Sequence, residues 1–142
     1  MKEKCKALWT YCTSKEMILY IVFGALTTGL NLAVYFLLTE ALRMDVNLAY
    51  FLAWVVGMLF AFVTNKKYVF ESKTKTWTAV LYELGTFTGG RVLTLVIGEI
   101  LIKVFVKTLG QSNVLWKLIS NVVEIVLNWM VSKLITFRKK AD

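Results

Sequence analysis

The sequence predicts an all-α membrane protein whose four transmembrane helices form two parallel two-helix repeats. Hydrophobic residues make up 58% of its 142 residues, more than the roughly 45–50% that soluble domains contain. Four apolar stretches fill most of the chain, and each has the ~20 residues that a helix needs to cross a bilayer. The basic residues are concentrated in alternate connecting segments, as in multi-pass membrane proteins. The predicted spans are residues 17–39, 46–65, 77–102 and 114–137.

The N-terminal segment, residues 1–16, differs from the rest because its lysines alternate with apolar side chains. This pattern predicts an amphipathic helix along the cytoplasmic interface, with a disordered tail as the alternative. The first two spans carry no charged residue, whereas the third and fourth carry three each. We therefore divide the chain into a cytoplasmic segment, 1–16, and a four-helix transmembrane domain, 17–138.

The distribution of basic residues predicts the orientation in the membrane. Four of them precede the first span, four lie between the second and third spans, and four close the fourth span. Because positive residues accumulate on the cytoplasmic side, both termini are predicted to be cytoplasmic. Topology and contacts with anionic lipid account for the net charge of +8, so no nucleic-acid partner is expected.

The residue types limit the chemistry that the chain can perform. Cys5 and Cys12 fall in the predicted cytoplasmic segment, where free thiols are expected rather than a disulfide. The sequence has no His and shows no pattern of metal ligands or of an activated nucleophile. We therefore predict no metal, no cofactor and no catalytic activity.

The two halves of the chain resemble each other. A shift of 67 residues aligns the second span with the fourth and pairs Lys66 with Lys133. A shift of 61 aligns the first span with the third and pairs Gly24 with Gly85. Each half enters from the cytoplasm and returns to it, so we expect two parallel repeats related by an axis along the membrane normal.

Polar side chains inside the third and fourth spans are the strongest functional signal. In the fourth span they recur at i, i+4, i+7 and i+11, which predicts one stripe along a helix. Arg91 lies in the middle of the third span, beside Gly89 and Gly90, which permit close helix packing. Ionised groups at membrane depth usually mark a pathway or binding site, although helix packing is the alternative. The stripe consists of Lys117, Asn121, Glu124 and Asn128.

Several segments together resemble the GtrA-like family over about residues 17 to 138. One departure is Ser132, because many members have an asparagine before the basic residue at that point. The resemblance implies a four-helix protein of the bacterial cytoplasmic membrane that acts in teichoic acid or polysaccharide glycosylation. It also implies movement of an undecaprenyl-phosphate-linked sugar, which a separate membrane glycosyltransferase then uses. The matching segments are 23–31, 64–70, 83–91, 117–121 and 127–133.

The leading functional hypothesis is therefore a flippase for polyprenyl-phosphate monosaccharides. Arg91 would compensate the phosphate, asparagines would bind sugar hydroxyls, Lys66 would gather the phosphate at the inner leaflet, and Glu124 would hold Arg91 between substrates. A homodimer is expected, because four helices barely enclose a path for a sugar. The predicted substrate-binding residues are Asn31, Asn65, Lys66, Glu83, Arg91, Lys117, Asn121, Glu124 and Asn128.

Two other functions stay open at this point. A non-transporting subunit of a membrane glycosyltransferase would use the same partner without moving lipid. A small multidrug or cation exporter would bind cations at Glu124, but Arg91 and Lys117 in the interior disfavour a cation site.

Overall fold

The computed structural model describes residues 14–138 together with Glu3, Lys6 and Thr10. This part of the chain is helical and contains no β-strand. The all-α class and the four long helices predicted from the sequence are confirmed. The helices are α1 (Lys15–Phe36), α2 (Val46–Thr64), α3 (Trp77–Ile102) and α4 (Asn113–Val131).

Each α-helix continues into a wider π-helical turn. Three of the resulting helices, Lys15–Ala41, Val46–Val69 and Asn113–Thr136, are long and apolar enough to span a membrane. Helix α3 has 26 residues, a sufficient length, but it carries the charged residues of the third predicted span. That α3 also crosses the membrane, and that both termini are cytoplasmic, stay predictions. The π-helical turns are Leu37–Ala41, Asn65–Val69, Lys103–Thr108 and Ser132–Thr136.

The chain divides into two compact units, Met1–Glu71 and Ser72–Asp142. In the first unit α1 packs along α2, and in the second α3 packs along α4. Each unit is an antiparallel helical hairpin with a short loop. The predicted amphipathic segment 1–16 lies largely outside the described residues. Helix α1 begins at Lys15, where the Ser14 side chain accepts a hydrogen bond from the Met17 backbone.

The two hairpin loops repeat each other with a shift of 67 residues. Asp45 caps α2 by accepting a hydrogen bond from the Leu48 backbone, and Ser112 caps α4 by accepting one from Leu115. Before each cap, one residue adopts a left-handed conformation, at Arg43 (φ 50°) and Gly110 (φ 64°). The repeat predicted for the second and fourth spans is therefore also present in the loops that precede them.

The same shift of 67, not the predicted shift of 61, relates α1 to α3. Tyr20 packs edge-on against Phe70 with 6.4 Å between ring centroids, and Phe87 packs against Phe137 at 6.0 Å. The pairing of Gly24 with Gly85 is therefore wrong. Apolar helices match each other easily by sequence, whereas packing contacts determine which positions are equivalent.

Small residues form the contact faces inside both hairpins. In α2 the buried face repeats every four residues, and three of its alanines are at most 1% exposed. In α3 the small residues of the buried face are Gly90, Thr94 and Gly98. Since lipid supplies no hydrophobic force between helices, close backbone approach at small residues is the usual basis of such contacts. The α2 face consists of Ala49, Ala53, Gly57 and Ala61.

Candidate functional site

The contacts between α3 and α4 define the candidate site in the second hairpin. A Cβ atom added at Gly90 would lie 2.6 Å from Val131 Cγ1. One turn further along α3, the Thr94 hydroxyl donates to Asn128 Oδ1 at 3.0 Å. One turn further again, Gly98 faces Glu124. The predicted role of Gly90 in close packing is confirmed, whereas Gly89 is exposed with nothing within 4 Å of an added Cβ.

Arg91 is held on α3 next to this contact. Its guanidinium carbon lies 4.9 Å from the centre of the Phe87 ring, within the range of a cation–π interaction. Phe87 is only 2% exposed, so it forms a rigid base for the half-buried arginine. The Thr94 hydroxyl also approaches the Arg91 carbonyl, at 3.0 Å. We call Phe87, Arg91, Thr94 and Asn128 the arginine cluster.

Asn128 contributes hydrogen-bonding capacity to the arginine cluster. Its carbonyl oxygen accepts from Thr94, which is 1% exposed and therefore well fixed. This bond orients the half-buried side-chain amide, whose NH₂ group remains a donor. The Arg91 guanidinium beside Phe87 and the Asn128 amide beside Thr94 are two donors that suit phosphate oxygens and sugar hydroxyls.

Glu124 belongs to a different level of the hairpin. The hydroxyl of Ser120, which is fully buried, donates to Glu124 Oε1 at 3.2 Å. The carboxylate lies directly over Gly98, where an added Cβ would collide with it. Gly98 is seven residues from Arg91, or roughly 10 Å along the helix axis. Ser120, not Arg91, is therefore the hydrogen-bond partner of Glu124 in the described part of the chain.

The predicted stripe on α4 is only partly packed. Lys117 and Asn121 are exposed, whereas Glu124 and Asn128 are half-buried against α3. The face of α4 that packs is rotated from the predicted face, because Ser120 rather than Asn121 packs against the small residues of α3. Sequence reasoning missed Ser120, although its spacing of four residues from Glu124 on the same helix could have indicated it.

Glu83 lies apart from the arginine cluster, near the start of α3. It is 3% exposed and accepts hydrogen bonds from Ser72 Oγ at 2.6 Å and Thr74 Oγ1 at 2.8 Å. These two hydroxyls belong to the segment that precedes α3. The described contacts of Glu83 therefore attach this segment to the helix.

The remaining predicted residues belong to the first hairpin. Asn31 packs over Gly57, where an added Cβ would lie 3.4 Å from its amide nitrogen. Asn65 is 1% exposed and donates to the Ala61 carbonyl at 2.6 Å, while its own side-chain oxygen is buried and has no hydrogen-bond partner among the described residues. Lys66 is half-buried in the π-helical turn that follows α2. The residues that the sequence predicts to bind substrate thus belong to two sets, one in each hairpin.

An aromatic ring lies beside a lysine at the end of each of α2 and α4. Tyr68 stacks on Phe23 with ring centroids 5.5 Å apart, and Lys67 Nζ lies 5.2 Å from the Tyr68 ring centre. In the second hairpin, Lys133 Nζ lies 4.8 Å from the Trp129 ring centre. Aromatic rings beside lysines are typical of the level of the lipid headgroups.

No group of potential metal ligands occurs in residues 14–138.

The apolar helices and their inward polar groups define a multi-pass helical membrane protein. Residues 19–137 match the family described as GtrA/DPMS, transmembrane domain. The chain belongs to this family, as the resemblance in the sequence predicted, and it is a bacterial membrane protein.

Three similar proteins, from Listeria and Bacillus, cover most of this chain. The chain is 38% identical over 136 residues to the cell wall teichoic acid glycosylation protein GtcA of Listeria monocytogenes, covering 95% of this chain and 93% of that protein. It is 35% identical over 133 residues to GtcA of Listeria innocua, covering 94% and 92%. It is also 36% identical to the Bacillus subtilis membrane protein YwcD, covering 87% and 98%. No solved structure matches the chain.

Proposed function

We propose that this protein moves a polyprenyl-phosphate-linked monosaccharide across the cytoplasmic membrane for teichoic acid or polysaccharide glycosylation. The family and the names of the two Listeria relatives support a role in teichoic acid glycosylation. The observation that carries the transport proposal is the arginine cluster within α3 and α4. It presents a guanidinium and an oriented amide beside the contact between α3 and α4.

The substrate has three parts that need three environments. Its polyprenyl tail can remain in the hydrocarbon, so only the phosphate and the sugar require a polar path. Arg91 would bind the phosphate, because a planar guanidinium can donate two parallel hydrogen bonds to phosphate oxygens. Asn128 would donate to sugar hydroxyls, and the exposed Asn121 and Lys117 would extend the polar path along α4.

The lysines at the end of α2 would collect the lipid. Lys66 and Lys67 follow α2, and Lys67 lies over the ring of Tyr68, which stacks on Phe23. Lysines near the cytoplasmic surface attract anionic headgroups, each by about 1 kcal/mol. In the predicted orientation these residues face the inner leaflet, where the sugar lipid is made. A separate membrane glycosyltransferase would use the sugar on the other side, so no catalysis is assigned to this chain.

The decisive experiment is reconstitution with a labelled polyprenyl-phosphate sugar, followed by measurement of its exchange between leaflets. Arg91→Ala should slow exchange by at least tenfold, because the phosphate loses its only guanidinium partner in the arginine cluster. Arg91→Lys should retain part of the rate, since the charge remains but the bidentate geometry is lost. Lys103→Ala removes an exposed cation at the end of α3 and is the matched control.

The same experiment separates transport from the role of a glycosyltransferase subunit. If wild-type protein does not accelerate leaflet exchange, while its deletion lowers the level of a membrane glycosyltransferase, the subunit role is correct. Exchange by correctly inserted Arg91→Ala protein at the wild-type rate would remove Arg91 from the phosphate site.

A further inference from the structure

We propose that Glu124 is the proton-binding site through which a proton gradient drives movement of the sugar lipid. The inference depends on the proposed function and extends it to the energy source. Glu124 lies in the interior of α4 (Asn113–Val131), on the face that packs against α3. The arginine cluster lies at another level of the hairpin, so phosphate binding as proposed does not use this carboxyl group.

Comparison of the two hairpins indicates that packing does not require this acid. With the shift of 67, Asn31 and Gly57 in the first hairpin correspond to Gly98 and Glu124 in the second. In both hairpins a polar side chain lies over a glycine of the facing helix. The first hairpin achieves this with a neutral amide. A carboxyl group in the second adds an ionisable group at a cost in the membrane, which usually indicates a function.

The surroundings of Glu124 suit a group that gains and loses a proton. Among the described residues its hydrogen-bond partner is the Ser120 hydroxyl, which can donate to a carboxylate and accept from a protonated acid. The side chain is half-buried, so it is not sealed from its surroundings.

The charged residues on the neighbouring elements lie outside the proton site around Glu124. Directly opposite Glu124, α3 presents Gly98, which has no side chain. The next residue of α3, Glu99, is exposed, as is Lys103 in the following π-helical turn. Arg91 is about two turns away along α3, and Lys117 on α4 is exposed. Within residues 14–138, Glu124 forms no ion pair with any of these groups.

The proposed step is a proton transfer and involves no other bond. An O–H bond forms on Glu124 when the carboxylate takes a proton from water on one side of the membrane. That bond breaks when the proton is released to water on the other side. Alternation between the charged and neutral side chain would be linked to the movement of the anionic headgroup.

The test uses full-length protein in liposomes that contain the labelled sugar lipid, with an imposed pH gradient. For one coupled proton, each unit of pH difference should change the equilibrium leaflet ratio by up to about tenfold. Glu124→Gln should abolish this dependence, because the amide keeps the size of the side chain but cannot bind and release a proton. Glu99→Gln, a neutralised exposed acid on α3, should retain the dependence.

The possible results distinguish this inference from the function on which it depends. If wild-type protein exchanges the lipid but the leaflet ratio does not respond to the pH gradient, proton coupling is refuted and the flippase function is not. A Glu124→Gln protein that retains the gradient dependence would also refute the role of Glu124. Absence of wild-type exchange would refute both proposals.

A second measurement detects the proton without transport. A hydrophobic carbodiimide reacts with protonated carboxyl groups in membranes, and the labelled peptide can be identified by mass spectrometry. Labelling of Glu124 should increase at least threefold as the pH falls. Unchanged labelling of Glu124 between neutral and acidic pH would contradict a site that binds protons in that range.

Discussion

At the residue scale, the second hairpin depends on glycines that leave space for polar side chains. Gly98 is the clearest case, because Glu124 and Ser120 together occupy the position where its Cβ would be. Gly90 accommodates Val131 in the same way. Gly29 on α1 is also helical but faces open space. Whether an added methyl group is tolerated should therefore differ sharply between helical glycines of this protein.

Gly98→Ala should destabilise the protein by about 1–3 kcal/mol, the usual cost of overpacking a tight contact. The added Cβ would lie 2.8 Å from Ser120 Oγ and would displace the Glu124 carboxylate. Thermal unfolding in detergent micelles, compared with Gly29→Ala, measures the effect. The control should be neutral or slightly stabilised, because alanine is the better helix former. Equal midpoints for the two variants would show that the α3–α4 contact is looser than described.

At the element scale, Glu83 connects the segment before α3 with the helix itself. The sequence predicted Glu83 to be one of the substrate-binding residues. In the structure its carboxylate accepts hydroxyl hydrogen bonds from Ser72 and Thr74. Hydrogen bonds to charged groups contribute about 1.5–3 kcal/mol, so this contact should order the segment between the two hairpins.

Glu83→Ala should therefore loosen the segment around Lys73 and Lys75, which are exposed. Trypsin cleavage after these lysines, followed by gel electrophoresis and mass spectrometry, should be at least threefold faster than in wild type. Glu99→Ala changes an exposed acid of the same helix and should leave the cleavage rate unchanged. Wild-type cleavage rates in Glu83→Ala would mean that other contacts order the segment.

At the scale of the whole molecule, large apolar side chains are exposed along the helices, as expected for a protein surrounded by lipid. Ile18, Ile21 and Leu26 on α1 are each about half exposed. Gly85 and Gly89 are also exposed, four residues apart on α3, with no atom near an added Cβ. Pairs of glycines with this spacing often form contacts between membrane helices. They are a candidate contact face for the homodimer predicted from the sequence.

Gly89→Leu should lower the dimer fraction in bilayers severalfold, because a bulky side chain would separate the two copies at this face. Single-molecule photobleaching of labelled protein in liposomes measures that fraction. Val92→Leu, which changes another exposed residue of α3 only slightly in size, is the control. A wild-type protein that is monomeric in bilayers would reject the homodimer itself, whereas an unchanged Gly89→Leu dimer would reject this face.

The sequence alone determined the helical class, the four helices and the family. Length and hydropathy suffice for the class and the helices, because a bilayer imposes a minimum apolar length and requires internally satisfied backbone groups. The family followed from the matching sequence segments. The sequence also identified the second hairpin as the polar one, since charged residues in apolar stretches are visible without any contacts.

Only the tertiary structure decided which polar residues act together. It grouped Arg91 with Thr94 and Asn128, assigned Ser120 to Glu124, and left Lys117 and Asn121 exposed. It also replaced the shift of 61 by a shift of 67. The physical reason is that periodicity gives the face of a helix only within a fraction of a turn. The small residues of the facing helix determine the final rotation and register, because backbones approach where side chains leave space.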